Sequence, residues 1–172
     1  MIPELGHISL ITHLILSLFA GTIPLAGLLL GKQSFLLSIE RFSLILFSLI
    51  TVSFLCLVYS FLMDDFSVAY VAQNSNTNLP DYFKFAATWG AHEGSLVFWI
   101  LAMNAWLIGF TFLTKSKDKK FSQLVFSISC QVMFAFTLFT LFTSNPFERI
   151  LPVPPLNAVS YTHLTLPTIL LV

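Results

Sequence analysis

The sequence predicts an all-α polytopic membrane protein with four transmembrane helices and a periplasmic loop that carries a short interfacial helix. Two observations indicate this class, namely the composition and the spacing of the charged residues. Of the 172 residues, 56% are apolar and only 9% are charged, whereas soluble domains carry about 25% charged residues. So few charges cannot cover a water-exposed surface, and a soluble helical bundle with polar helix faces is therefore disfavoured.

Four long stretches without charged residues predict the four spans. They run over about 5–31, 42–63, 94–114 and 121–147. A bilayer core of about 30 Å needs about 20 helical residues, so each stretch is long enough to cross it. The first stretch is N-terminal like a signal peptide, but no Lys or Arg precedes it and its apolar run is too long for one. We therefore expect it to remain as a permanent span.

The basic residues indicate how the bundle is oriented. The connections 32–41 and 115–120 carry six of the eight basic residues, and only Lys84 and Arg149 lie on the opposite side. Connections rich in Lys and Arg stay in the cytoplasm. The sequence thus predicts a bacterial inner-membrane protein whose N-terminus and whose 64–93 loop face the periplasm.

The 64–93 loop is predicted to contain two ordered parts. Apolar and small residues alternate over Phe66–Tyr70, which favours a short extended segment. Pro80 can open a helix at its first position. In that helix two faces differ in character, and this predicts a helix lying in the membrane interface with Trp89 at the headgroup level. One side of this helix carries the aromatic residues Tyr82, Phe85 and Trp89. The polar face carries Asp81, Lys84 and Thr88.

The run from Trp89 to Ser95 is the one candidate functional site. It places His92 and Glu93 between two glycines at the entry to the third span, where glycine permits close backbone approach. His92 has the chemistry to bind a haem iron, transfer a proton or hydrogen-bond a propionate, and Glu93 can orient it. A structural interpretation is equally open, because Glu93 also favours a helix N-terminus and His92 can cap or bridge loops.

Other chemically versatile side chains are assigned to packing or hydrogen bonding. His7 and His13 lie six residues apart in the first span and do not share a helix face, so they cannot coordinate one metal ion together. Cys56 and Cys130 lie mid-span, where core packing explains them best. Asn104 is a polar side chain at membrane depth in the third span, so it is expected to face protein rather than lipid. Zinc-ligand spacings, phosphate-binding loops, nucleophile elbows and haem-attachment motifs do not occur, and no basic patch suggests nucleic acid. No catalytic or metal-ligating residue is predicted.

Four stretches together resemble one family, the CcmF-type haem lyase subunits of cytochrome c maturation. The resemblance covers residues 1 to about 157 in one register, and we interpret this region as the family's N-terminal transmembrane region. Related nitrite-reductase maturation proteins share the same opening. The matching stretches are MIPELGH at 1–7, DDFSVAYVAQNSN at 64–76, LPDYFKFAATWGAHEGS at 79–95 and LFTSNPFERILPVPP at 141–155.

The resemblance implies a protein that receives haem on the periplasmic side and joins it to apocytochrome c through thioether bonds. It implies haem as cofactor, and a haem chaperone, apocytochrome c and other maturation proteins as partners besides membrane lipid. In the family pattern the tryptophan-rich loop and the axial histidines lie beyond residue 157. Trp89, His92 and Glu93 are therefore expected only in the vicinity of haem, and we expect no lyase activity from this chain alone.

Residues 158–172 depart from the family pattern. They are rich in Thr and are broken by Pro167, so they make a poor span. We expect foreign sequence there that packs against none of the spans.

Two other functions remain open for comparison. An ion- or proton-translocating subunit would carry ionisable residues inside its spans, and spans two to four contain no Asp, Glu, Lys, Arg or His between their flanks. A purely structural membrane fragment is the third possibility.

Overall fold

The computed structural model describes residues 1–31, 38–113 and 119–150, which form six helices. These are α1 Ile2–Leu30, α2 Ile39–Leu62, α3 Ala69–Asn74, α4 Asp81–Ala87, α5 His92–Leu113 and α6 Lys119–Thr143. Helices α1, α2, α5 and α6 are each long and apolar enough to cross a membrane. The prediction of an all-α protein with four spans is thus confirmed.

The helix limits lie within three residues of the predicted spans except at the end of α6, which stops at Thr143 rather than near 147. The absence of charge in this stretch suggested a longer helix, but Pro146 disfavours a helical conformation at Asn145. The Asn145 side chain instead accepts a hydrogen bond from the amide of Phe147 at 3.1 Å.

The four long helices form a closed ring. Helix α1 packs on α2 and α6, and α5 packs on the same two helices. We use "loop end" for the end of the bundle at which α1 begins, α2 ends, α5 begins and α6 ends. Apolar side chains of α1, α2 and α5 there share one buried cluster with loop residues such as Phe66, Val71 and Phe147. The loop is thus part of the core.

The segment after α6 folds back onto the segment before α3. The amide of Ala69 donates to the carbonyl of Glu148 at 2.8 Å, and the amide of Ile150 donates to that of Ser67 at 2.9 Å. The Arg149 guanidinium also contacts Glu4 and lies 3.4 Å from an Asp65 carboxylate oxygen. These contacts join the first and last parts of the described chain at the loop end.

The predicted extended segment over Phe66–Tyr70 is largely wrong. Only Val68 forms a β-bridge, with Arg149, and Tyr70 already lies in helix α3. The short segment 148–150 offers an extended partner for a few residues only. Beyond it the backbone satisfies its own hydrogen bonds, beginning with the Ala72 amide and the Val68 carbonyl at 3.0 Å.

A short helix, α4, forms in the loop, but two of the three residues of its predicted polar face are turned toward the protein, and the third, Asp81, is exposed. Lys84 and Thr88 are buried, while Tyr82, Phe83 and Phe85 are exposed. The helix ends at Ala87, so Trp89 lies in the turn that follows it. The expectation that residues 158–172 do not pack on the spans concerns a part of the chain outside the described residues and stays a prediction.

Candidate functional site at the loop end

The α4–α5 turn positions Trp89, His92 and Glu93, and one glycine determines its shape. A Cβ atom at Gly94 would overlap the carbonyl oxygen of Thr88 and lie 2.6 Å from the hydroxyl oxygen of Tyr70. Glycine is therefore required where α5 begins, because the turn passes against the helix backbone. At Gly90 the nearest atom would be 3.5 Å away, which is ordinary contact. The predicted close approach thus occurs at the second glycine of the run.

The Tyr70 hydroxyl holds the same turn from the side of α3. It donates to the carbonyl of Thr88 at 3.1 Å and lies 3.3 Å from that of Ala87. Burial raises the pKa of Tyr70 above its usual range, and the charge of Glu93 adds to this effect. Tyr70 was not recognised from the sequence, because the alternation of apolar and small residues over Phe66–Tyr70 suggested only a short extended segment.

His92 is the first residue of α5 and is exposed. Its Nδ1 shares a 2.9 Å hydrogen bond with the hydroxyl of Ser144, just beyond α6, and its ring meets that of Phe139 edge to face at 6.2 Å. Nε2 has no hydrogen-bond partner among the residues that the structure describes. The ring is thus held at one nitrogen and open at the other.

Trp89 and Glu93 have different surroundings from His92. The Trp89 ring is half-buried and stacks on Phe98 at 5.8 Å and on Phe54 at 6.4 Å. Glu93 is half-exposed and does not orient His92, because consecutive side chains on a helix diverge. The partner that orients His92 is Ser144, 52 residues further along the chain, and no local pattern pointed to it.

A buried ion pair attaches α4 to the end of α2. The Lys84 ammonium lies 2.6 Å from a carboxylate oxygen of Asp64, and the Lys84 side chain is only 5% exposed. Asp64 has a backbone φ of 51°, in the left-handed region that Asp and Asn tolerate better than most residues. The sequence placed Lys84 on a polar face, and in the structure Lys84 and Thr88 of that face pack against the protein.

A second polar cluster lies inside the bundle, where His13 joins three spans. The Asn104 amide is 3.2 Å from His13 Nε2 and also donates to the Ile100 carbonyl at 2.9 Å. Since Nε2 accepts, Nδ1 carries the proton and donates to Thr137 Oγ1 at 3.1 Å. Thr137 in turn donates to the Met133 carbonyl at 2.7 Å. Both His13 nitrogens are used, so this imidazole is a hydrogen-bonding group, as predicted.

The other packing assignments also agree with the structure. Asn104 is buried and faces the protein, and Cys56 and Cys130 are buried and free. Over the described ranges, no three His, Cys, Asp or Glu side chains are grouped so that they could hold a metal ion. A groove of about 430 Å³ between α5 and α6 is lined by apolar residues and Ser129, without histidine.

Comparisons with known proteins identify the family. Over 157 residues the chain is 41% identical to the cytochrome c-type biogenesis protein CcmF of Pseudomonas aeruginosa. The aligned region covers 91% of this chain and 24% of that protein. It is 40% identical over 154 residues to the cytochrome c-type biogenesis protein NrfE of Haemophilus influenzae, covering 90% of this chain and 24% of NrfE. No protein-family model matches the sequence.

A solved structure gives the same result. The fold superimposes on cytochrome c haem lyase CcmF with a TM-score of 0.79 and 27% identity, covering 86% of this chain and 25% of that one. The chain thus spans about a quarter of the length of the relatives it matches. With four spans, a shared fold and about 40% identity over nine-tenths of its residues, the chain belongs to the CcmF and NrfE family of cytochrome c-type biogenesis proteins.

Proposed function

We propose that this chain is a membrane part of a protein that handles haem during cytochrome c maturation. The names of its relatives support the process, and a likeness to cytochrome c haem lyase supports the chemistry. The observation that carries the proposal to particular residues is the exposed imidazole of His92, held through Nδ1 by Ser144 with Nε2 open.

Within that function, Trp89, His92 and Glu93 lie in the vicinity of haem without forming its iron site. An imidazole nitrogen can hydrogen-bond a haem propionate, and the half-buried Trp89 ring, packed among other aromatic rings, is a flat apolar surface. The four spans carry these groups, and the close-packed turn at Gly94 fixes their positions. Apocytochrome c, a haem chaperone and other maturation proteins are the partners that this role requires.

The proposed location is the bacterial inner membrane, with the N-terminus and the loop end in the periplasm. The distribution of basic residues supports this orientation, since six of eight fall on the opposite side. A single Cys at Asn76, in a Cys56→Ala and Cys130→Ala background, should react with an impermeant maleimide in intact cells. A single Cys at Lys117 should react only after permeabilisation. The reverse pattern would refute the orientation.

The functional role is tested in the longer Pseudomonas aeruginosa relative, at the positions that align with His92 and Gly90. His92→Ala should lower the amount of covalent haem in c-type cytochromes, measured by haem staining, because the open imidazole is lost. Gly90→Ala is the matched control and should support normal maturation of c-type cytochromes, since a Cβ fits there. Both variants must accumulate equally in membranes. Normal maturation by His92→Ala would leave His92 a structural residue only.

A further inference from the structure

Helix α4 exposes its aromatic side chains and buries its lysine. Tyr82, Phe83 and Phe85 are 67%, 51% and 47% exposed, whereas Lys84 is 4% exposed. We call these three exposed residues the aromatic face of α4. In water this arrangement is unfavourable, because aromatic area stays hydrated while a charge is desolvated. Something apolar must cover the aromatic face.

The protein itself fixes this orientation of α4. Lys84 is bound to Asp64 at 2.6 Å, and Thr88 is fully buried at the end of the helix. Helix α4 packs on α2, the helix that ends just before Asp64. Turning α4 to bury its aromatic face would separate Lys84 from its carboxylate partner. The aromatic face therefore points away from the bundle as a consequence of the fold.

The position of α4 indicates what covers the face. Only residues 88–91 separate α4 from the membrane-spanning helix α5, and four residues reach at most about 14 Å. The rings are also continuous with the span, because Phe85 contacts Trp89 at 4.9 Å and Trp89 stacks on Phe98 at 5.8 Å. Phe98 lies in α5 and is 43% exposed. The aromatic face thus extends the membrane-facing surface of α5 to the loop end.

We propose that the aromatic face of α4 inserts into the phospholipid leaflet at the loop end, at the boundary between headgroups and acyl chains. Tyr is enriched at this depth, and an amphipathic helix can lie there with an apolar side that carries Phe in the lipid. Lys84 is directed inward, and the exposed charge of α4 is the carboxylate of Asp81 in its first turn, which cannot attract anionic lipid. Insertion therefore depends on burial of aromatic area and needs no anionic lipid. The proposal does not rest on any role in haem handling.

Depth-dependent fluorescence quenching tests the insertion in the complete 172-residue chain. Single Cys residues are placed at Phe83, Thr77 and Ile15 in a Cys56→Ala and Cys130→Ala background, labelled with NBD and reconstituted in phosphatidylcholine nanodiscs. Thr77 is exposed in the loop and serves as the aqueous reference. Ile15 is 49% exposed near the middle of α1 and serves as the hydrocarbon reference. Unlabelled parent protein controls for reaction at buried sites.

At Phe83 we expect stronger quenching by headgroup-labelled spin lipid than by lipid labelled at carbon 12, with the opposite order at Ile15. Aqueous iodide should quench Thr77 at least threefold more strongly than Phe83. Adding phosphatidylglycerol should leave the Phe83 result unchanged. Quenching of Phe83 by iodide as strong as that of Thr77 would refute the proposal. Protection of Phe83 from both iodide and lipid quenchers would also refute it, since a protein surface would then cover the face.

Discussion

His13 and His92 show how differently the interior of the bundle and its loop end use the same side chain. His13 is fully buried, and Asn104 and Thr137 occupy both of its nitrogens. His92 is exposed at the start of α5, where Ser144 occupies only Nδ1. Inside the spans, the His13 ring uses both nitrogens to join helices, because an unpaired polar atom is costly there. At the loop end polar groups hold a turn in place and leave one imidazole nitrogen available.

Substitutions in the two regions should also differ in how much stability they remove. The loop end depends on one steric constraint and one buried ion pair, each without a substitute nearby. In the interior polar cluster, Asn104 and Thr137 contact His13, and each also donates a hydrogen bond to a backbone carbonyl of its own helix. We therefore expect the loss of the steric fit at Gly94, or of the Asp64–Lys84 pair, to have a larger effect than a change inside the bundle, and the following changes test that order.

Gly94→Ala should have the largest effect. The added Cβ would overlap the carbonyl oxygen of Thr88, so α5 and the turn must separate, at a cost above the about 3 kcal/mol typical of severe overpacking. Gly90→Ala is the control, because its Cβ meets no atom closer than 3.5 Å. Thermal unfolding in detergent, followed by circular dichroism, measures both. Equal stability of the two variants would show that the turn is not constrained as described.

Asp64→Asn should come next. Asn tolerates the left-handed backbone of this residue, so the change mainly removes the charge that pairs with Lys84. An uncompensated buried charge costs about 3 kcal/mol or more. Asp65→Asn is the matched control, because its contact with Arg149 is 3.4 Å long and both side chains are about one-third exposed, which is worth about 0–1 kcal/mol. Chemical denaturation should therefore show a larger loss of unfolding free energy for Asp64→Asn than for Asp65→Asn. Equal losses would contradict the importance of the buried pair.

Thr137→Val should cost less than either change at the loop end. It removes the acceptor for His13 Nδ1, and an interhelical hydrogen bond in a membrane protein contributes about 0.6–1.7 kcal/mol. Thr12→Val removes a hydroxyl that donates only to the Ile8 carbonyl of its own helix, and should change stability by less. A loss at Thr137 exceeding that at Asp64 would reverse the comparison between the two regions.

Tyr70→Phe should have the smallest effect and should depend on pH. Removing the hydrogen bond to the Thr88 carbonyl costs about 1 kcal/mol near pH 8. Because the folded-state pKa of Tyr70 is raised above its ordinary value of about 10, protonated Tyr70 stabilises the fold below pH 10. That contribution is lost as the pH rises through the folded-state pKa.

The stability difference between the parent chain and Tyr70→Phe should therefore shrink above pH 10. Denaturation at pH 8 and at pH 11 measures it, with the remaining tyrosines common to both proteins. A difference that stays constant across this range would show that Tyr70 does not hold the turn as a buried phenol.

The sequence alone determined the four spans, the orientation of Asn104 and the turn before α5, because these features depend only on local composition and spacing. Charge-free stretches longer than 20 residues predicted the four spans, and the position of Asn104 at membrane depth predicted that it faces protein. The run from Trp89 to Ser95 also marked the turn before α5, because glycine and proline signal backbone constraints directly from the sequence. Residues 1–157 were assigned to the family on motifs of the same local kind.

Only the tertiary structure decided which side chains support that turn. Ser144 reaches His92 across 52 residues, Tyr70 reaches Thr88 across 18, and Asp64 reaches Lys84 across 20. Helical periodicity divides α4 into two faces but cannot say which face meets the protein, since both answers satisfy the same spacing. Lys84 faces inward because the end of α2 brings a carboxylate to it. That pairing depends on where two distant segments meet, and no local pattern encodes it.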